Sequence, residues 1–167
     1  LGGAIYCRIR KKSFCQMADL ACMGLLIGQI IGKWGSFFNR ESFGEYADNI
    51  FSMQLPLTAV RAGEVTTAMR EKLQTVDGGT WILVQPLFFY ESLWCLLVLL
   101  VLMMLLRKKV FQGEIFLRYL ASYGLGRAVI QWFRTDKVLF PGTGVDVSLV
   151  ISVILFVFCT VVVAVKR

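Results

Sequence analysis

The 167-residue chain contains no histidine, and its five cysteines include no Cys-x-x-Cys pair. Zinc sites are built from cysteine and histidine at such spacings, so we expect no metal site and assign the cysteines only a packing role. Charged residues are also scarce, at 17% against 57% hydrophobic residues. A soluble domain of this size does not have that balance, and the composition indicates an integral membrane protein.

The hydrophobic residues are concentrated in four runs, each close to the length of about 20 residues that crosses a bilayer. The runs lack the alternation of barrel strands, so helices are predicted. The predicted fold class is an all-α polytopic membrane protein with four full transmembrane helices, a truncated N-terminal helix and a small outward-facing head. Within this single membrane domain we predict a truncated helix end at 1–7, cytoplasmic loops at 8–13 and 107–114, spans at 14–38, 87–106, 115–134 and 147–165, a head at 39–86 and an outward loop at 135–146. We expect the chain to be a fragment whose earlier spans are absent.

The basic residues lie at the ends of the apolar runs. Although the net charge is +7, these residues form no single stripe, and no nucleic-acid partner is predicted. Basic clusters at 8–12, 107–109 and 166–167 are assigned to the cytoplasm by the positive-inside rule. The stretch 40–86 carries four basic and six acidic residues and is predicted to face outward.

One face of the third run is polar. Tyr123, Arg127, Gln131 and Arg134 follow at spacings of four, four and three, which places them on one side of a helix. An arginine inside a span costs about 2.5–3.5 kcal/mol on insertion scales and is tolerated mainly beside a partner, a cavity or a polar ligand. Arg127 is therefore the first candidate, whereas Arg134 could simply extend to the headgroups.

Polar residues also cluster at the outward end of the first run, where a solvated helix end is the alternative explanation. Glu91, early in the second run, requires a cationic partner, and Lys33 or Arg127 would serve if the helices touch. The polar cluster at the outward end of the first run consists of Lys33, Ser36, Asn39, Arg40 and Glu41. The cations of the first and third runs, Lys33, Arg40, Arg127 and Arg134, would form an anion site in the outward half of the membrane. Because guanidinium groups match phosphate oxygens, a phospholipid headgroup is the predicted ligand.

These residues resemble the motifs of the prolipoprotein diacylglyceryl transferase family, and the resemblance covers nearly the whole chain. The signature glycine-arginine-x-glycine-asparagine-phenylalanine-x-asparagine-x-glutamate-x-phenylalanine-glycine is similar to residues 32–44. The histidine-proline-x-x-x-tyrosine-glutamate element is similar to residues 85–91, and the tyrosine-glycine-x-x-arginine motif to residues 123–127. The family's phenylalanine-arginine-x-x-aspartate-like stretch is similar to Phe133, Arg134 and Asp136.

The resemblance implies transfer of a diacylglyceryl group from phosphatidylglycerol to the lipobox cysteine of a preprolipoprotein, without a cofactor. The reaction would take place at the outer face of the bacterial cytoplasmic membrane. The resemblance implies catalytic roles for Arg127, Lys33 and Tyr123. It implies substrate binding by Ser36, Asn39, Glu41, Gly44, Glu91, Gln131 and Arg134.

Four polar positions depart from the family motifs: Lys33 replaces an arginine, Ser36 an asparagine, Gln85 a histidine and Gln131 a glutamate. Lysine keeps the charge but lacks the two-pronged donor of arginine, and glutamine cannot act as a base. A catalytically weak or silent paralogue that binds phosphatidylglycerol or prolipoprotein is therefore an alternative. A transporter fragment with Arg127 on an anion path is a second, although the sequence has no internal repeat or broken helix to support it.

Overall fold

A computed structural model describes residues 2–41, 43–61, 63, 65–76, 78–131 and 146–167. The helices are α1 (Gly2–Ile9), α2 (Phe14–Phe38), α3 (Thr67–Glu71), α4 (Leu87–Leu106), α5 (Glu114–Gln131) and α6 (Val147–Lys166). The strands are β1 (Met53–Pro56), β2 (Gln74–Val76) and β3 (Gly79–Val84), with a short 3₁₀ helix at Leu57–Ala59. The predicted loop at 135–146 lies outside the described residues except for Asp146.

Three helices in the described part of the chain are long and apolar enough to cross a membrane: α2, α4 and α6. The remaining predicted run, the third along the chain, forms α5, which has 18 residues and contains Glu114, Arg118 and Arg127. With these three charged residues, α5 is not among the helices that are apolar enough to cross a membrane. The prediction of a mostly helical membrane protein is confirmed, and the fourth span stays a prediction.

The long helices pack in adjacent pairs, with α2 against α4, α4 against α5, and α5 against α6. Gly124 permits the last contact, because a Cβ atom there would lie 2.7 Å from the backbone oxygen of Ser152 in α6. The shared core is apolar, and α4 is apolar on its exposed face as well, as expected of a helix that faces lipid. The core consists of Cys22, Leu26, Cys95, Val98, Leu102, Ile115 and Tyr119.

The head contains a three-stranded antiparallel sheet in the order β1-β3-β2. The prediction of an all-α fold is therefore wrong for this region. The strands are only three to six residues long, and so short an apolar run cannot be distinguished from a buried helical segment by its periodicity. The head has its own core of Phe43, Leu55, Met69, Ile82 and Val84.

The head is attached closely to the ends of two long helices. At the end of α2, Arg40 adopts the left-handed backbone conformation (φ 55°), and the Glu41 N–H donates to the Ser36 carbonyl at 3.0 Å. This pattern closes a helix and redirects the chain. Just before α4, Gln85 forms a two-bond ladder with the head, since its carbonyl accepts from the Gly44 N–H at 3.0 Å and its N–H donates to the Glu45 carbonyl at 3.1 Å.

The opposite end of the bundle contains a buried polar network. Asp19 of α2 is 2% exposed and accepts hydrogen bonds from the backbone N–H groups of Gly113 and Phe116, both at 2.9 Å. Its carboxylate also lies 3.6 Å from the ammonium of Lys109. Asp19 therefore caps the start of α5 from a neighbouring helix.

Candidate functional site

A cavity of about 230 Å³ lies between α2, α4 and α5, in the half of the bundle that adjoins the head. It equals roughly eight times the volume that one water molecule occupies in the liquid. A polar headgroup fits in this space, whereas the acyl chains of a phospholipid would have to remain outside it. The cavity is lined by Gln29, Lys33, Glu91, Trp94, Cys95, Tyr123, Gly126, Arg127 and Ile130.

The ion pair of this cavity joins α2 to α4. The Lys33 ammonium contacts the Glu91 carboxylate, whose side chain is only 7% exposed. The sequence prediction that Glu91 meets a cation is thus confirmed, with Lys33 as the partner. The pair brings one positive and one negative charge to the cavity wall, so it contributes little net charge.

Arg127 supplies the remaining charge. Its side chain is half-buried on α5 and lines the same cavity. Within the described residues, its guanidinium makes no hydrogen bond or ion pair. A partly buried cation without a protein partner is costly, and an anionic ligand would remove that cost.

Two glycines set the position of Arg127. Gly124 lets α5 approach the backbone of α6, and a Cβ atom at Gly126 would overlap the indole of Trp94 in α4. The Trp94 indole N–H donates to the Ser122 carbonyl at 3.1 Å, which fixes the ring against α5. The segment around Arg127 is therefore clamped on both sides, and the arginine is held at the cavity by backbone contacts.

Five residues of the cavity wall were not among the predicted site residues. Two of them, Gly126 and Ile130, belong to α5, and the other three are Gln29, Trp94 and Cys95. The Gln29 amide donates to the Tyr119 hydroxyl at 2.9 Å, and the Cys95 thiol lies 3.8 Å from the Gln29 amide oxygen. Helical spacing could have identified them, since Gln29 precedes Lys33 by four residues, and Trp94 and Cys95 follow Glu91 by three and four. Tyr123, a predicted site residue, closes the wall on the α5 side.

The predicted site residues beyond Lys33 on α2 and in the head do not line this cavity. Ser36 is half-buried in the last turns of α2, and Asn39 is the exposed C-cap residue of that helix. Glu41 pairs with Arg61 at 3.0 Å on the head surface. Gly44 packs against Gln85, where a Cβ atom would lie 2.9 Å from the Gln85 Cβ, so its contacts are those of a backbone junction.

The remaining two predicted residues follow Arg127 on the chain. The Gln131 side chain is buried and donates to the Asp146 carboxylate at 2.7 Å, which ties the end of α5 to the start of α6. Asp146 also accepts from the Ser148 N–H at 2.9 Å as the N-cap of α6. The amide of Gln131 is thus engaged away from the cavity. Arg134 lies outside the described residues, as do Phe133 and Asp136.

Comparison of the chain with known proteins identifies a family. Residues 1–165 match the family model described as prolipoprotein diacylglyceryl transferase. The chain belongs to the prolipoprotein diacylglyceryl transferase family. The resemblance inferred from the three motifs is therefore confirmed, and these motifs contribute Lys33, Glu91, Tyr123 and Arg127 to one cavity.

The curated relatives that the chain matches are longer than the chain. The chain is 33% identical over 167 residues to the phosphatidylglycerol–prolipoprotein diacylglyceryl transferase of Bacillus licheniformis, covering all of this chain and 57% of that protein. Identity to the enzyme of the same name from Listeria monocytogenes serotype 4b is 35% over 167 residues, covering 100% and 55%. For Geobacillus kaustophilus it is 34% over 165 residues, covering 99% and 56%. The chain thus spans about half the length of the curated relatives it matches.

Proposed function

We propose that this chain contains the site for diacylglyceryl transfer from phosphatidylglycerol to the cysteine thiol of a preprolipoprotein. The observation that carries the proposal is the Arg127 guanidinium, which has no partner among the described residues and lines a cavity that also contains the Lys33–Glu91 pair. Family membership supplies the reaction, and the cavity supplies a site for the phosphate of the donor lipid.

The reaction exchanges one bond for another. The sulfur of the acceptor cysteine attacks the glyceryl carbon of the lipid, a C–S bond forms, and the C–O bond to the phosphate breaks. Glycerol phosphate leaves with the bonding electrons, and the thiol proton passes to a base or to solvent. Negative charge develops on the departing phosphate oxygen, so Arg127 is placed to stabilise the transition state more strongly than the ground state.

Lys33 and Glu91 have a second role in this proposal. A phosphate that enters the cavity competes with the Glu91 carboxylate for the Lys33 ammonium. Lys33 can then contribute to charge stabilisation while Glu91 orients it, and Tyr123 donates a hydrogen bond to the ligand. The predicted contributions of Ser36, Asn39, Glu41 and Gly44 would act indirectly, through the end of α2 and its junction with the head.

The topology belongs to the same proposal. With α5 as a fourth span, the basic clusters at 8–12, 107–109 and 166–167 all fall on one side of the membrane. The head then faces outward from the bacterial cytoplasmic membrane, and the cavity opens on the side where an exported lipobox segment arrives.

The test is mass spectrometry of a lipobox peptide incubated with phosphatidylglycerol vesicles and the reconstituted chain. A diacylglyceryl adduct is expected, and Arg127→Ala should lower its rate of formation by roughly 10²–10³, the usual effect of removing one preorganised donor. Arg127→Lys should retain part of the rate because the positive charge remains. The rest is lost because an ammonium cannot bind two phosphate oxygens in the way that a planar guanidinium does. The matched control is Arg70→Ala, which removes an exposed arginine of α3 far along the chain from the cavity residues.

A second candidate function is binding of phosphatidylglycerol without transfer, and the engagement of Lys33 by Glu91 favours it. Restoring the family residues with a Lys33→Arg, Ser36→Asn double variant tests this alternative. If neither the original chain nor the double variant forms an adduct, while both retain Arg127-dependent binding to phosphatidylglycerol vesicles, the transferase proposal for this chain is wrong and the binding function stands.

A further inference from the structure

A turn at the edge of the head presents two apolar side chains in the open. Ile50 is 98% exposed and the neighbouring Phe51 is 60% exposed. Single exposed apolar residues are common on protein surfaces. An almost fully exposed isoleucine beside an exposed phenylalanine forms a small apolar tip, and such tips mark interaction surfaces when they are held in place.

Hydrogen bonds within the turn hold this tip in one conformation. The Asn49 N–H donates to the Ser52 hydroxyl at 2.7 Å, and that hydroxyl donates to the Asn49 side-chain oxygen at 3.1 Å. The Phe51 N–H donates to the same oxygen at 3.1 Å, and the Ser52 N–H donates to the Asn49 carbonyl at 2.9 Å. Because the turn is already ordered, placing its tip in a new environment requires little further loss of conformational entropy.

The tip lies at the level where the long helices meet the head. The Phe51 ring stacks on Phe89, in the first turn of α4, with ring centroids 6.3 Å apart and an interplanar angle of 16°. The groove beside it, about 310 Å³ in volume, is also lined by Phe88 of α4 and by Phe37, the penultimate residue of α2. Aromatic residues at the ends of spans belong to the membrane–water interface.

We propose that the turn at residues 49–52 inserts Ile50 and Phe51 into the bilayer interface on the head side. The partner is lipid, because the tip is continuous with the aromatic ends of two helices that are apolar enough to span. Asp48, exposed immediately before the turn, limits the insertion to the tip. The head is then fixed to the membrane at a point separate from its two covalent connections. This inference is independent of the transfer reaction.

The test measures the environment of position 50 with a thiol-linked fluorophore whose emission depends on polarity. The variant Ile50→Cys is made in a Cys15→Ser background, because Cys15 is the exposed one of the five native cysteines. The matched control is Thr75→Cys in the same background. Thr75 is exposed on β2 opposite Thr80 of β3. Thr80 is four residues before Val84, the last residue of β3, and α4 begins three residues after Val84. The chain is reconstituted into phosphatidylethanolamine and phosphatidylglycerol vesicles with or without brominated lipid.

The expected result is blue-shifted emission at position 50 and quenching by brominated lipid roughly two-fold or more stronger than at position 75, since interfacial side chains enter the membrane by about 5–10 Å. Aqueous iodide should quench position 75 more strongly than position 50. Equal iodide quenching at both positions would place the tip in water and overturn the inference. Protection of position 50 from both quenchers would also overturn it, because the tip would then be covered by protein.

Discussion

Buried charges at the two ends of the helical bundle differ in how many partners they have. At the end away from the head, Asp19 and Glu114 are each 2% exposed, and each carboxylate accepts hydrogen bonds from backbone and contacts a cation. At the cavity, Glu91 has one cationic partner and Arg127 has none among the described residues. A carboxylate with all its partners stabilises the fold, whereas a cation that lacks a partner is available to a ligand.

The same helix takes part in both arrangements. The start of α5 is capped by Asp19 and by the Glu114–Arg118 pair, and Arg127 lies between three and four turns beyond Glu114. Fixing the first turn of α5 therefore also fixes the register at which Arg127 enters the cavity. The polar network at one end of α5 therefore helps to position Arg127, which has no partner in the described part of the chain, at the other end.

Removing the Asp19 charge should produce the largest loss of stability. Asp19→Asn leaves Lys109 without its counter-ion and replaces one acceptor oxygen by a donor that faces backbone N–H groups. Breaking a buried charge network of this kind costs about 3 kcal/mol or more. The measurement is thermal unfolding of the chain in detergent, with Gln16→Ala, an exposed change one turn earlier on α2, as the control. Equal midpoints for the two variants would contradict the structural role given to Asp19.

The contrast between the two ends was only partly predictable. The apolar runs at 14–38 and 87–106 have the same bounds as α2 and α4, because charged or turn-forming residues flank both. Helical spacing also predicted that Arg127 and Tyr123 share a face, and both line the cavity. The sheet of the head was missed, since strands of three to six residues carry too little periodicity to be recognised.

Other parts depend on contacts between residues distant in the chain. Gln131 shares the predicted face of Arg127, yet its amide binds Asp146, which is 15 residues away and reached only through the following connection. Asp19 was overlooked, although one carboxylate in an apolar run is a signal of a buried partner. Its partners, the backbone N–H groups of Gly113 and Phe116, have no side-chain signature and appear only when α2 and α5 are packed together.

Removing the Arg127 charge should have a much smaller effect on stability than removing that of Asp19. Arg127→Met keeps an extended apolar side chain and eliminates a half-buried cation that has no partner in the described part of the chain. Because the variant relieves desolvation without breaking a contact, the free energy of unfolding should stay within about 1 kcal/mol of the original or rise. Thermal unfolding beside Asp19→Asn measures this difference. A loss as large as that of Asp19→Asn would show that Arg127 is a structural residue, and the comparison between the two ends would fail.

The smallest expected effect is the acid sensitivity of Glu114, the first residue of α5, adjoining the connection from α4. Burial alone would raise the pKa of this carboxyl. Hydrogen bonds from the Val110 N–H at 2.6 Å and from Arg118 at 2.7 Å and 3.0 Å, together with the Arg118 charge, outweigh burial and hold the pKa below its usual range. The stabilisation is therefore fully present above the unfolded-state pKa of about 4.3 and disappears as the pH falls through the lower folded-state value. Thermal unfolding of the original chain and of Glu114→Gln should differ most at neutral pH and converge as the pH is lowered through that window. A difference that stays constant across the window would mean that Glu114 is not held ionised by its donors. The contrast between the end of the bundle away from the head and the cavity would then rest on Asp19 alone.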